Sequence, residues 1–167
     1  MRNNKVRQLT QGALVAALYV ALTYGQNILF PETANMAIQF RAAEALCVLA
    51  LFTPGAIWGL GVGCLLFNLS YAGALPSDFV IGPLASILAA LVMWHTRKLK
   101  LWGYPLLAMC MPALFNGLFV GWELQLYIGG GFWFNAGCVA LGELGVLLTL
   151  GTAVYFSLCR IRFISES

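Results

Sequence analysis

Six apolar stretches, each parted from the next by a few polar, proline or glycine residues, run through the chain from Gln8 to Leu158. Charged residues make up only 9% of the 167 residues, against 61% hydrophobic ones. A water-soluble domain carries about 25% charged residues because its surface must face water. A body this small has too little interior to hide such an apolar surplus, so lipid must be its outer solvent. The sequence therefore predicts an all-α integral membrane bundle, a single transmembrane domain over residues 1–167. The first apolar run is long and no small-residue cleavage site follows it, which speaks against a cleaved signal peptide.

The first run, Gln8 to Phe30, is long enough to cross a hydrocarbon core about 30 Å thick at about 1.5 Å per residue. The second begins at Ala42 and breaks at Thr53-Pro54-Gly55; it is short, and predicts a tilted or partly buried segment. The others run from Ala56 to Tyr71, Phe79 to His95, Tyr104 to Glu123, and Trp133 to Leu158. Short or interrupted helices often line a binding site, because irregular backbone survives in a membrane only where protein or water satisfies it. Merging the second and third runs gives a rival count of five, and the basic residues arbitrate. Arg2, Lys5 and Arg7 precede the first span, Arg97, Lys98 and Lys100 separate the fourth from the fifth, and Arg160 and Arg162 follow the sixth. Six crossings put all of these on one side, the cytoplasm by the positive-inside rule, and leave only Arg41 opposite. The expectation is six transmembrane helices with both termini cytoplasmic.

That arrangement places three connections outside: Pro31 to Arg41, Ala72 to Asp78, and Leu124 to Phe132. Most of the acidic groups lie in or beside them, namely Glu32, Glu44, Asp78 and Glu123. Acidic and aromatic groups at the outer end of a bundle point to the capture of something from outside, cationic or rich in hydrogen-bond donors. A carboxylate inside a span costs about 2.5 to 3.5 kcal/mol on insertion scales unless paired or hydrated. Glu143 is the clearest case, about ten residues into the sixth span. Asn116 lies mid-span in the fifth helix, and Glu123, seven residues on, shares its face. Asn135 lies eight residues before Glu143 and near its face. Two neighbouring helices thus each present an amide and a carboxylate. Such groups can equally glue helices together, at about 0.6 to 2 kcal/mol each. Arg41 and Glu44 are spaced to pair on one helical face, either as structure or so that Arg41 orients Glu44 toward a ligand. Asp78 stands where it can cap the fourth helix.

Trp122, Tyr127, Phe132, Trp133 and Phe134 flank Gly129-Gly130-Gly131. Interfacial belts use such aromatics routinely, but the glycines add a hinge of the kind a lid requires. Ala13, Ala17 and Ala21 form a smooth stripe on the first helix, suited to packing in the bundle or to docking on a membrane partner. The five cysteines, Cys47, Cys64, Cys110, Cys138 and Cys159, lie in apolar runs without metal-ligand spacing. His95, the one histidine, reads as interfacial. There is no phosphate-binding glycine loop leading to Lys-Ser or Lys-Thr and no nucleophile elbow, so no enzymatic activity is expected. Energised transport would then need an ion gradient or a separate motor. A net charge of +3, clustered in short loops, does not point to nucleic acid.

The stretch Ile38-Gln39-Phe40-Arg41-Ala42-Ala43-Glu44-Ala45-Leu46, then Leu51-Phe52-Thr53-Pro54-Gly55-Ala56-Ile57-Trp58-Gly59-Leu60 and Gly63-Cys64-Leu65-Leu66-Phe67-Asn68, resembles the QueT family of queuosine-precursor transporters. Phe115-Asn116-Gly117-Leu118-Phe119-Val120-Gly121-Trp122-Glu123-Leu124, and Phe132-Trp133-Phe134-Asn135 through Gly142-Glu143, fit the same pattern. The resemblance implies the substrate-capturing S component of an energy-coupling-factor (ECF) transporter in a bacterial plasma membrane. Such a protein has a ligand site near the outer face. It docks by an alanine stripe on its first helix, here Ala13, Ala17 and Ala21, onto a transmembrane coupling subunit with two ATPases. The chain itself would then hold no cofactor, and toppling of the bundle is thought to deliver the ligand.

Both lines together imply a 7-deazaguanine ligand, base or nucleoside, whose ring N–H and exocyclic amine one carboxylate can accept together. Glu143 or Glu123 would take that edge and Glu44 would serve as the second acid. Asn116 and Asn135 would read the carbonyl, and Trp133 or Phe132 would stack on the ring. Gln39, Arg41 and Asn68 complete the candidate substrate-binding residues. A vitamin-binding S component, a proton-coupled secondary transporter using Glu143, and an intramembrane enzyme acting on lipid are the alternative readings.

Overall fold

The computed structural model of the chain describes residues 4–30 and 40–166, the last five as backbone only. Gln39 and Glu32 lie outside the described residues. Helix α1 (Asn4–Leu29) buries Gly12, Val15, Ala16, Tyr19 and Thr23, which recur every three or four residues along one face. A 3-10 helix follows (Ala42–Leu51), and then α2 (Gly55–Ser70), α3 (Asp78–Thr96) and α4 (Leu106–Tyr127). The last rod is α5 (Phe132–Val146), a π turn (Leu147–Gly151) and α6 (Thr152–Glu166) in direct succession. In the π turn the Thr152 hydroxyl donates to the Leu147 carbonyl, five residues back, at 3.3 Å.

The expected short second segment is the centre of the molecule. It touches every other segment, while α1 packs on α2, α2 on α3, α3 on α4, and α4 on α5 around it. Ala43, Ala45, Cys47, Val48, Ala50 and Leu51 are all buried, and small residues are what let so many neighbours close on one segment. A 3-10 helix rises about 2.0 Å per residue, so its ten residues reach about 20 Å, further than an α-helix of equal length. Among the described residues α1 makes no contact with α4, α5 or α6. A lateral groove of about 480 Å³ lies there instead, lined in part by Ala21, Gly25, Gln26, Phe40, Val146 and Leu150.

Two seams are drawn especially tight by glycine. A Cβ placed on Gly59 of α2 would stand 2.5 Å from the Gly12 carbonyl oxygen of α1. One on Gly121 of α4 would stand 2.6 Å from the Ala136 Cα of α5. The outer surface is apolar on every helix, with Leu14, Trp58, Val80, Leu114, Leu141 and Phe156 among the exposed side chains, as lipid-facing walls require. Four helical stretches are long and apolar enough to cross a membrane: α1, α3, α4 and the rod Phe132–Ile161; the 3-10 helix and α2 are shorter apolar segments. The exposed face of α1 carries Ala13, Ala17 and Ala21.

Candidate functional site

The central 3-10 helix brings Glu44 into the interior one turn from its start. Glu44 Oε1 accepts from the Tyr19 hydroxyl of α1 at 2.7 Å, and Oε2 accepts from the Cys47 thiol at 3.1 Å. Arg41 Nη1 donates to the same Tyr19 hydroxyl at 3.4 Å. Arg41 and Glu44, expected to pair on one face, are here both hydrogen-bonded to one phenol. Gln26 fixes the entry to this helix: its amide nitrogen donates to the Phe40 carbonyl, and its amide oxygen accepts from the Ala42 N–H at 2.7 Å. Those two anchors straddle Arg41.

Across the bundle, Asn116, Glu123, Asn135 and Glu143 are all buried. The Gly121–Ala136 contact brings α4 and α5 close enough for Asn116 Nδ2 to donate to Glu143 Oε1 at 3.0 Å. Glu143 Oε2 is out of contact with solvent and has no hydrogen-bond partner among the described residues. Glu44 and Arg41 both lie within electrostatic reach of it.

Glu123 belongs to a second, neighbouring group. Its Oε1 accepts from the Ser77 hydroxyl just before α3, and its Oε2 is likewise buried and unpartnered. Asp78 and Arg41 are within electrostatic reach of it. Asp78 closes the turn before α3 by accepting from the Leu75 N–H at 2.7 Å, rather than capping the helix itself. Asn68 of α2 donates to the Asp78 carbonyl at 2.7 Å and so ties α2 to the start of α3. Its amide nitrogen is committed to the fold.

Asn135 does not join Glu123. Its side-chain nitrogen donates to the Gly129 carbonyl at 2.7 Å, pinning a loop in which Gly129, Gly130 and Gly131 all have φ between 86° and 88°. Three successive left-handed residues are accessible to glycine and strained for any other type. Phe132 is half-buried, whereas Trp133 is 79% exposed; their rings meet edge to face at 4.8 Å. Trp133 therefore presents its indole chiefly to the surroundings of the bundle and Phe132 is the ring nearer the interior.

Sequence reasoning passed over three residues. Nothing in the spacing singles out Tyr19 or Ser77, and only the fold sets each against a carboxylate. Asn27, in the last turn of α1, has both its amide oxygen and its amide nitrogen buried without a partner among the described residues; only its depth in an apolar run could have flagged it. Among the described residues no group of three or more His, Cys, Asp or Glu side chains is placed to hold a metal ion.

An apolar-walled helical bundle with buried carboxylates fits the class of membrane transport proteins. The chain belongs to the QueT transporter family, whose model matches residues 9–160. No curated relative and no solved structure matches it.

Proposed function

We propose that this chain is the substrate-binding (S) subunit of an ECF-type importer of a bacterial plasma membrane. It would capture a 7-deazaguanine queuosine precursor from outside, for uptake driven by ATP hydrolysis in partner subunits. The observation that carries the reading is the pair of buried, half-spent carboxylates: Glu143 Oε2 and Glu123 Oε2 each await a donor. A buried acceptor left unmade costs about 1–3 kcal/mol, so a donor-rich ligand is the natural occupant. Glu143 takes the ring N–H and exocyclic amine of the guanine edge, with Asn116 holding its carboxylate in place. Glu123 takes the cationic 7-aminomethyl group where the ligand has one, and Glu44 adds negative charge from the central helix. Phe132 is the better candidate for stacking on the base.

Six crossings with both ends in the cytoplasm complete the reading, because they gather Lys5, Arg7, Arg97, Lys98, Lys100 and Arg160 on one side. Docking onto a coupling subunit falls to Ala13, Ala17 and Ala21, whose exposure fits a helix meant to meet another closely. Ala13 also borders a groove of about 400 Å³ lined in part by Gly12, Ala16, Trp58, Gly59 and Val62.

Uptake of radiolabelled 7-aminomethyl-7-deazaguanine into proteoliposomes tests the coupling. Accumulation is expected only when a coupling subunit and its two ATPases are co-reconstituted with ATP, and Ala17→Trp should abolish it while leaving binding intact. Gradient-driven accumulation by this chain alone would instead make it a secondary transporter.

A further inference from the structure

Asn27 is the one amide whose donor and acceptor are both buried and unpartnered among the described residues. It lies one helical turn beyond Thr23 and two beyond Tyr19, the face of α1 that is turned inward. Its neighbour Gln26 is fastened to the backbone on both sides of Arg41. Tyr24, a turn below, meets Phe67 of α2 with ring centroids 5.2 Å apart. The last turn of α1 is thus held rigidly, and nothing in that packing uses the Asn27 amide.

A carboxylate accepts only, whereas an amide offers one donor group beside one acceptor. Glu143 and Glu123 therefore call for ligand donors, and Asn27 calls for a ligand edge that carries an acceptor next to a donor. Among the described residues α1 touches neither α4 nor α5, so Asn27 meets a ligand from a different wall of the bundle than Asn116 and Glu143. A 7-deazaguanine whose N1–H and exocyclic amine face Glu143 turns its five-membered ring the other way. On the edge that adjoins the exocyclic amine, the free base presents N3 of the six-membered ring as acceptor beside N9–H of the five-membered ring as donor. In a nucleoside N9 carries the sugar and this pair is broken.

We propose that Asn27 is a specificity-determining residue of the substrate site. Its amide nitrogen donates to N3 and its amide oxygen accepts from N9–H, so that the protein selects the free base over the nucleoside. The assignment rests on the 7-deazaguanine reading above. Because the amide has no partner among the described residues, removing it should not weaken the empty protein, which separates a ligand-reading role from a structural one.

The test is calorimetric titration of wild type, Asn27→Ala and Asn27→Leu with queuine and with queuosine, beside thermal unfolding of each protein without ligand. Wild type should bind queuine at least tenfold more tightly than queuosine. Both variants should lose that preference through a tenfold or greater loss of queuine affinity, with queuosine affinity nearly unchanged and unfolding temperatures of the empty proteins no lower. Unaltered queuine affinity in the variants, an equal loss for both ligands, or a lower unfolding temperature of the empty variants would each overturn the role of Asn27. Those outcomes leave the substrate reading standing. Absence of binding of either ligand to folded wild type would overturn this inference, and the substrate reading falls with it only if 7-aminomethyl-7-deazaguanine also fails to bind.

Discussion

The Tyr19 hydroxyl donates to Glu44 Oε1 across 2.7 Å while accepting from Arg41 Nη1 at 3.4 Å. One buried phenol thus joins α1 to the central 3-10 helix and stands between a carboxylate and a guanidinium. The Tyr19→Phe variant keeps the ring and removes the donor, leaving Glu44 with the Cys47 thiol as its hydrogen-bond partner among the described residues. A lost hydrogen bond to a buried charged group costs about 1.5–3 kcal/mol. The expected result is a lower unfolding temperature in detergent, and an unchanged one would show that the phenol bears no structural load.

The tight α4–α5 seam makes a paired prediction. Gly121→Ala drives a methyl to within 2.6 Å of the Ala136 Cα, whereas Gly137, on the exposed side of α5, has nothing within 4 Å of an added Cβ. Overpacking costs about 1–3 kcal/mol. Gly121→Ala should therefore lower thermal stability and, by separating Asn116 from Glu143, weaken ligand binding. Gly137→Ala should leave both unchanged, as measured by unfolding and by titration on the same preparations.

Asn68 offers the reverse separation. Its amide nitrogen holds the Asp78 carbonyl at 2.7 Å, so Asn68→Ala leaves that acceptor short of a partner at the start of α3. Thermal stability should fall by about 1 kcal/mol while ligand affinity stays within about twofold. A large loss of affinity at unchanged stability would return Asn68 to the substrate site.

The direction of the carboxyl terminus turns on the central helix. At about 2.0 Å per residue its ten residues reach about 20 Å, short of a hydrocarbon core about 30 Å thick. If it still carries the chain across, six crossings return the carboxyl terminus to the cytoplasm. A carboxyl-terminal green fluorescent protein fusion should then fluoresce and an alkaline phosphatase fusion should be inactive. The opposite pair of results would mean five crossings.

The apolar helices were legible because hydropathy fails sharply where the chain must turn. Thr53-Pro54-Gly55 separates the 3-10 helix from α2, and the observed α2 (Gly55–Ser70) and α3 (Asp78–Thr96) lie within a residue of the expected bounds. Helical spacing put Asn116 with Glu123 and Asn135 with Glu143 on two adjacent helices, and it took the fold to join Asn116 to Glu143. Spacing could not choose partners for Glu123 and Asn135, since that depends on how far α3 and the glycine loop reach over the bundle. Nor could it reveal the 3-10 winding of Ala42–Leu51. Helical periodicity distinguishes a buried face from an exposed one, and a segment covered on nearly all sides has little such contrast. The π turn at Leu147–Gly151 is hidden for a related reason: one extra residue per turn leaves an apolar run apolar.

The central claim is that the half-spent carboxylates read a deazaguanine, and isothermal titration of the detergent-purified protein tests it most directly. The ligands are 7-aminomethyl-7-deazaguanine, queuine, queuosine, guanine and riboflavin, titrated against wild type, Glu143→Gln and Glu123→Gln. The account predicts tight binding of a deazaguanine and none of riboflavin. It further predicts at least a tenfold loss, about 1.4 kcal/mol, in Glu143→Gln, and in Glu123→Gln a loss confined to the ligands that carry an amine at C7. Binding of no deazaguanine by demonstrably folded protein, or affinity untouched by both substitutions, would contradict it.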